Sequence, residues 1–138
     1  MLAKKGWPHD PACALCAGPM EDAAHLLASC PFSVQIWQGV LRRCNLSLGL
    51  APSATTTSLM IWSDHSYGMF PAKERKAWSS LVQLVWWNLW IERNARIFRN
   101  QRSPAVALIA KIVEEAAVWS RAGGWRVNSL LDRPRQPD

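Results

Sequence analysis

The stretch CALCAGPMEDAAHLLASC, residues 13–30, contains three cysteines and one histidine in the spacing C-x2-C-x8-H-x4-C. The two residues between Cys13 and Cys16 allow both sulfur atoms to bind a single ion, and His25 and Cys30 complete a Cys3His set. Such a set is typical of tetrahedral Zn2+, because soft thiolate donors favour zinc over magnesium or calcium. Four protein ligands leave no position for a catalytic water, so the spacing predicts a structural zinc ion.

Three further residues near this motif have chemistry that is relevant to a metal site: one carboxylate, one imidazole and one thiol. Glu21 precedes His25 by one helical turn, where its carboxylate can accept a hydrogen bond from the non-ligating ring nitrogen and fix the tautomer. His9 lies shortly before Cys13 and is an alternative ligand. Cys44 belongs to an apolar helical stripe and is expected in the core. The alternative for the whole motif is a group of buried thiols that bind no metal.

Hydrophobic periodicity and helix-boundary residues predict a mainly α-helical fold. Ser103 and Pro104 supply a cap and a first-turn proline for the last helix. The segment 46–71 contains several Gly, Pro, Ser and Thr residues without a sustained period, and we interpret it as connecting structure. The predicted helices are residues 21–29, 31–45, 72–100 and 104–123.

These elements predict a small zinc-stapled N-terminal segment followed by a helical hairpin that the last two helices form. The predicted division of the chain is a zinc-binding segment at 1–46, a linker at 47–71, the helical hairpin at 72–123 and a flexible tail at 124–138.

The formal net charge of +6 lies entirely in the second half of the chain. Residues 1–71 have equal numbers of acidic and basic side chains, whereas residues 72–138 have twelve basic and six acidic ones. A polyanion such as RNA or single-stranded DNA is therefore a candidate partner of the second half. The candidate phosphate contacts are Arg93, Arg96, Arg99 and Arg102.

Both the arginines and the tryptophans before them have a structural alternative. Arginines spaced by three residues spread around half of a helix, and near its C-terminus they compensate the helix dipole. Exposed indoles stack on unpaired bases, but Trp86 and Trp90 are one turn apart in an apolar segment. We therefore expect these two tryptophans to pack against the helix at 105–119.

The sequence contains no signal peptide and no apolar run of about 20 residues, the length that a membrane span requires. We therefore expect an intracellular protein, in the nucleus or cytoplasm, without a membrane partner. The sequence also has no paired aspartates for two catalytic metal ions, no Gly-rich phosphate loop and no nucleophile set. We predict no enzymatic activity.

Two stretches of the chain resemble a known family. The run CALCAGPMEDAAHLLASCPFSVQIW, preceded by KKGW, resembles the zinc-binding domain that follows the reverse transcriptase in plant LINE-type non-LTR retroelements. The run WNLWIERNARIF resembles the segment that commonly follows this domain, with a pattern at Trp87, Trp90, Arg93, Asn94 and Phe98.

The resemblance implies that the zinc ligands are Cys13, Cys16, His25 and Cys30, and that a reverse transcriptase polypeptide is a candidate partner. The family usually has a helical stretch before the cysteine pair, so the resemblance implies truncation on the N-terminal side. The expected function is a retroelement-derived zinc-binding module with a structural zinc ion and non-specific contact to RNA or single-stranded DNA. The alternatives are a structural or protein-interaction helical module and a non-functional retroelement fragment.

Overall fold

Four α-helices account for most of the part of the chain that the structure describes. The computed structural model describes residues 12–16, 18 and 22–121, with the exception of the side chains of residues 120 and 121. The predicted tail at 124–138 lies outside these residues. The helices are α1 (Pro31–Arg43), α2 (Leu59–Gly68), α3 (Ala72–Phe98) and α4 (Ala105–Arg121).

The mainly helical prediction is confirmed, and the described residues include no β-strand. A π-helical turn (His25–Ser29) precedes α1, and a short 3-10 turn (Leu48–Leu50) follows it. In the described residues, no helix combines the length and the apolar character that crossing a membrane requires.

Helix α1 begins at Pro31 and ends at Arg43. Proline suits the first helical position because its fixed φ is already helical and the missing N–H would have no partner there. Asn45 has a φ of 57°, a left-handed conformation that ends the helix. The buried face includes Trp37 and Val40, as the periodicity of this segment predicted.

Helix α2 lies within the segment 46–71, which we interpreted from its composition as connecting structure. Ser58 caps it, because its hydroxyl oxygen accepts a hydrogen bond from the backbone N–H of Ile61 at 3.2 Å. Met60 and Ile61 are exposed, so the apolar residues of this helix do not follow the buried face. His65 lies in the last turn of α2 and is exposed.

Helices α3 and α4 form the predicted antiparallel hairpin. The Asn88 side-chain amide donates to a Glu115 carboxylate oxygen at 2.9 Å, and Glu92 accepts from the backbone N–H of Ser103 at 2.9 Å. Helix α4 also packs closely against α1, where the side chain of Ile109 lies beside Gly39. The hairpin is therefore one part of a bundle that also contains α1.

Aromatic rings form the centre of the core between α1, α2 and α3. The ring centroids of Trp37 and Trp62 are 5.0 Å apart, and those of Phe70 and Trp78 are 5.1 Å apart. The indole N–H of Trp78 donates to the hydroxyl of Ser66 at 3.0 Å, and that of Trp62 donates to the Leu50 carbonyl at 3.1 Å. These bonds satisfy the polar atom of each ring, so the rings can be withdrawn from water at low cost.

Candidate metal centre

The two N-terminal cysteines lie on a tight loop that closes on itself. The backbone N–H of Cys13 donates to the Gly18 carbonyl at 3.1 Å, and the N–H of Gly18 points at the Cys16 sulfur at 3.4 Å. A Cβ atom at position 18 would lie 3.1 Å from that sulfur, closer than ordinary van der Waals contact. Glycine therefore lets the backbone approach the sulfur and complete the loop.

The other two candidate ligands lie at the ends of the π-helical turn. The Asp22 carboxylate accepts a hydrogen bond from the backbone N–H of His25 at 2.7 Å and so caps the start of this turn. The backbone N–H of Cys30 donates to the His25 carbonyl at 2.7 Å and closes the turn. This geometry brings the imidazole and the Cys30 thiol to the same side, next to the cysteine loop.

The four candidate ligand atoms converge. One ligand atom from each of Cys13, Cys16, His25 and Cys30 lies within 4.8 Å of the other three. The sulfurs of Cys13 and Cys30 are 3.9 Å apart, and the Cys16 sulfur is 3.3 Å from His25 Nε2. Tetrahedral zinc, with bonds of about 2.3 Å to sulfur and about 2.0 Å to nitrogen, places such pairs about 3.8 and 3.6 Å apart. The donor set and its spacing therefore fit a zinc ion.

Two buried thiols of the cluster share one hydrogen bond. That bond to Cys30 lowers the pKa of Cys13 to about 5, although burial opposes the shift. The same hydrogen bond, together with burial, raises the pKa of Cys30. All four cysteines of the chain belong to the described residues, and all are free thiols. The thiolate is the form that binds a metal ion, so the pair can give up its first proton readily.

Comparison with known families agrees with this geometry. Residues 1–37 match the family model described as zinc-binding in reverse transcriptase. This segment is similar to a reverse-transcriptase zinc-binding domain. The match includes all four residues of the cluster, and its description concerns metal binding and not catalysis. No curated protein and no solved structure matches the chain.

The four arginines that were candidate phosphate contacts differ in exposure. Two of them are buried, which corrects the expectation that all four face a nucleic acid. Arg93 is 6 % exposed, and its guanidinium lies 4.8 Å from the centroid of the Trp90 ring. The side chain of Arg96 is 8 % exposed and forms an ion pair with Glu92 at 2.8 Å. Neither arginine is available to a phosphate, nor do they form a solvated helix end. Arg99 and Arg102 are exposed, and their role in binding nucleic acid stays a prediction.

The tryptophans of α3 differ from the prediction in one respect. Trp86 is half-buried and lies 6.1 Å from Trp62 between ring centroids, whereas Trp90 is 43 % exposed. Trp87 is also exposed, at 58 %. A groove of about 520 Å³ runs between α3 and α4, and Trp119 is the residue of α4 that lines it. Trp90 thus lies at the rim of the groove and is not packed into the interface between the helices.

Three other candidate residues complete the comparison with the sequence. Cys44 is buried in the core as predicted, and burial raises its pKa to about 11. Glu21 and His9 lie outside the described residues, so the proposed hydrogen bond to His25 and the alternative ligand both stay predictions. Asp22 lies at the start of the helix predicted at 21–29, where an aspartate commonly caps a helix, and its carboxylate accepts from the backbone N–H three residues later.

Proposed function

We propose that this chain is a retroelement-derived zinc-binding module of the reverse-transcriptase type. One structural Zn2+ binds to Cys13, Cys16, His25 and Cys30. The observation that carries the proposal is the convergence of these four ligand atoms within 4.8 Å of one another, inside the segment that the family model matches. A bound zinc ion supplies a four-coordinate cross-link between the cysteine loop and the start of α1.

The narrower assignment, to LINE-type non-LTR retroelements of plants, rests on the second motif. Trp87, Trp90, Arg93, Asn94 and Phe98 have the spacing of the segment that follows the zinc-binding domain in those elements. In the structure, Arg93 contacts two other residues of this motif: its guanidinium lies over the Trp90 ring and donates to the Asn94 side chain at 2.8 Å. We propose a reverse transcriptase polypeptide as the partner and an intracellular site, in the nucleus or cytoplasm.

The metal proposal is tested by elemental analysis of the purified protein. We expect one zinc per chain, and we expect Cys16→Ser and Cys30→Ser to lose it. Cys44→Ser is the matched control, because Cys44 is a buried core thiol outside the cluster and its replacement leaves the donor set complete. A wild-type protein that carries no zinc after purification and takes up none from solution contradicts the proposal.

We propose that the module has no enzymatic activity. The ligand set of three thiols and one imidazole occupies all positions of a tetrahedral ion, so no position remains for an activated water. The module therefore acts through the shape that the ion stabilises.

A second candidate function is non-specific binding of RNA or single-stranded DNA. The observation that favours it is the exposure of Trp87 and Trp90 on α3, together with the exposure of Arg99 and Arg102, which follow the end of that helix. Indole rings stack on bases of any sequence, and arginines neutralise phosphates. The proposed contact excludes Arg93 and Arg96, which are buried.

Salt dependence separates nucleic-acid binding from a purely structural or protein-interaction role. We expect the affinity for labelled single-stranded RNA to fall as salt rises, with a slope that Arg99→Gln and Arg102→Gln reduce. Trp87→Ala should weaken binding at every salt concentration by about 1–3 kcal/mol while leaving that slope unchanged. At low salt, a protein concentration of about 1 μM should be enough to shift the labelled RNA in a gel. If it does not, RNA binding is rejected as a function and the structural or protein-interaction role is retained.

A further inference from the structure

Arg96 connects the cysteine loop to the short segment between α3 and α4. Its Nη1 atom donates to the carbonyl oxygens of Ala14 at 3.3 Å and Leu15 at 3.1 Å. Its Nη2 atom donates to the carbonyl of Ser103 at 3.3 Å. Ala14 and Leu15 are the two residues between the first pair of candidate metal ligands. A single guanidinium therefore contacts both the metal loop and the connection between α3 and α4.

Glu92 fixes the guanidinium in this position. One carboxylate oxygen of Glu92 accepts from Arg96 Nε at 2.8 Å and also from the backbone N–H of Ser103 at 2.9 Å. The side chains of Arg96 and Glu92 are only 8 % and 6 % exposed, so water competes little for these hydrogen bonds. The ring of Phe32, on α1, lies 4.6 Å from the guanidinium carbon and covers it from the side of that helix.

The two loop carbonyls need such a donor. A backbone carbonyl that is withdrawn from water requires a hydrogen-bond donor, and Arg96 supplies one to both residues between Cys13 and Cys16. Donation from Arg96 fixes the plane of the peptide groups between Cys13 and Cys16, and thereby the direction in which the two sulfurs point. Groups that orient metal ligands in this way commonly change metal affinity by about 10–100-fold when they are removed.

We propose that Arg96 is a positioning residue of the metal centre, and that its pair with Glu92 couples metal binding to the connection between α3 and α4. This inference rests on the proposed zinc function. From the sequence, Arg96 was expected on the surface as a phosphate contact or at a solvated helix end. The proposal assigns it a role at the metal centre instead. Because coupling between two equilibria is reciprocal, zinc binding should stabilise the hydrogen bond between Ser103 and Glu92 by as much as that hydrogen bond favours zinc binding.

The first test compares zinc affinities in competition with a chelator. Arg96→Lys keeps the cation but replaces a planar fork with one compact ammonium, which cannot reach Glu92, Ser103 and both loop carbonyls together. We expect Arg96→Lys and Arg96→Met to bind zinc about 10-fold more weakly than the wild type. Arg99→Met is the matched control, an exposed arginine of the same helix end, and should change the affinity less than twofold.

A loss of overall stability must be separated from a loss of ligand positioning. Ile112→Val removes one methylene from a fully buried side chain of α4 that is remote in sequence from the loop, and it serves as the destabilised control. This variant should keep the wild-type zinc affinity. If it weakens zinc binding as much as Arg96→Lys does, general stability and not positioning explains the effect, and the proposal is rejected.

The second test measures the coupling in the wild-type protein and needs no variant. We expect zinc removal to accelerate amide hydrogen exchange at Ser103 more than at Ile61, whose backbone N–H donates to the Ser58 cap of α2 and, like that of Ser103, can open locally. Equal acceleration at both amides, or none at Ser103, contradicts the coupling. A wild type that takes up no zinc refutes the proposed function itself, whereas equal zinc affinity of the wild type and Arg96→Lys refutes only the role of Arg96.

Discussion

The cysteines of this chain occupy two different chemical environments. Cys44 lies near the end of α1 in the apolar core, where burial raises its pKa to about 11. Cys13 lies in the metal cluster, where a hydrogen bond to Cys30 lowers its pKa to about 5. Since reactivity toward electrophiles requires the thiolate, the two environments should be distinguishable by chemical labelling.

We predict that alkylation at pH 8 labels the cysteines in two stages. Zinc-bound protein should resist labelling. After chelation Cys13 and Cys16 should react first, and Cys30 should follow, because alkylation of Cys13 removes the hydrogen bond that contributes most to its raised pKa. Cys44, with a pKa of about 11, has a thiolate fraction of about 0.1 % at pH 8 and is also shielded from the reagent. Its thiolate fraction rises about tenfold per pH unit below that pKa, so any labelling in the folded state should increase with pH.

Mass spectrometry counts the labels directly. The wild type and Cys44→Ala should both gain three labels after chelation, and the wild type should gain a fourth only in denaturant. Labelling of Cys44 together with the cluster at pH 8 would show that the C-terminal end of α1 opens without unfolding of the core.

Residues that act through local spacing were predictable from the sequence, and those that act through distant contacts were not. Cys13, Cys16, His25 and Cys30 lie within a short stretch, so their spacing alone brought them together. Arg96 contacts a loop about eighty positions earlier, and in the sequence it is one of several arginines that recur at every third position. Burial of a basic side chain depends on a partner such as Glu92, and a linear pattern does not show which partner is present.

At the scale of helices, α1 and α4 approach each other at Gly39. A Cβ atom at this position would lie 2.9 Å from Cγ1 of Ile109 and would meet the end of that side chain even sooner. Glycine inside a helix costs about 1 kcal/mol relative to alanine, so a packing reason is expected wherever it occurs. Here the absence of a side chain allows Ile109 to fill the space between the two helices.

We predict that Gly39→Ala destabilises the protein by about 1–3 kcal/mol, although alanine is the better helix former. The overpacking against Ile109 outweighs the gain in propensity, because the contact is with a branched side chain held by α4. Denaturant unfolding measures the change. Gly68→Ala is the control, since a Cβ at that position meets no atom within 4 Å, and it should be neutral or slightly stabilising.

A second substitution shows whether the steric contact is the cause. If the contact with Ile109 is the cause, Gly39→Ala should destabilise the Ile109→Ala variant less than it destabilises the wild type. A double-mutant cycle measures this difference. If the two effects simply add, residues 39 and 109 do not contact each other, and the steric explanation is rejected.

Helices were predictable from the sequence where the apolar residues lie on one buried face, and were not predictable where apolar residues also face solvent. In α1 and α4, buried residues recur at helical spacing, and the predicted and observed bounds differ by only a few residues. In α2 the aromatic ring of Trp62 packs into the core, while Met60 and Ile61 face solvent. The apolar pattern of α2 therefore has no helical period, and only its cap, Ser58, was a local signal.

For the whole molecule, the metal cluster and the helices share one core. A single group of buried apolar residues extends from Cys13 and Leu15, through Trp37 and Trp78, to Ala116 on α4. The division of the chain into a zinc-binding segment, a linker and a hairpin stays a prediction. The shared core leads us to expect that these segments unfold together, because buried apolar side chains connect the cluster to the aromatic rings.

We predict that zinc raises the temperature of a single unfolding transition. A ligand that binds only the native state at a free concentration 100-fold above its dissociation constant contributes about 2.7 kcal/mol, which corresponds to an increase of about 10 °C in Tm for a chain of this size. Far-UV circular dichroism, which reports on the helices, and tryptophan fluorescence, which reports on the aromatic core, should give the same Tm at each zinc concentration. Cys16→Ser should not respond to zinc. A zinc-dependent transition separate from a zinc-independent loss of helix would show that the metal segment folds independently, because a shared core transmits the stabilisation to every helix that contacts it.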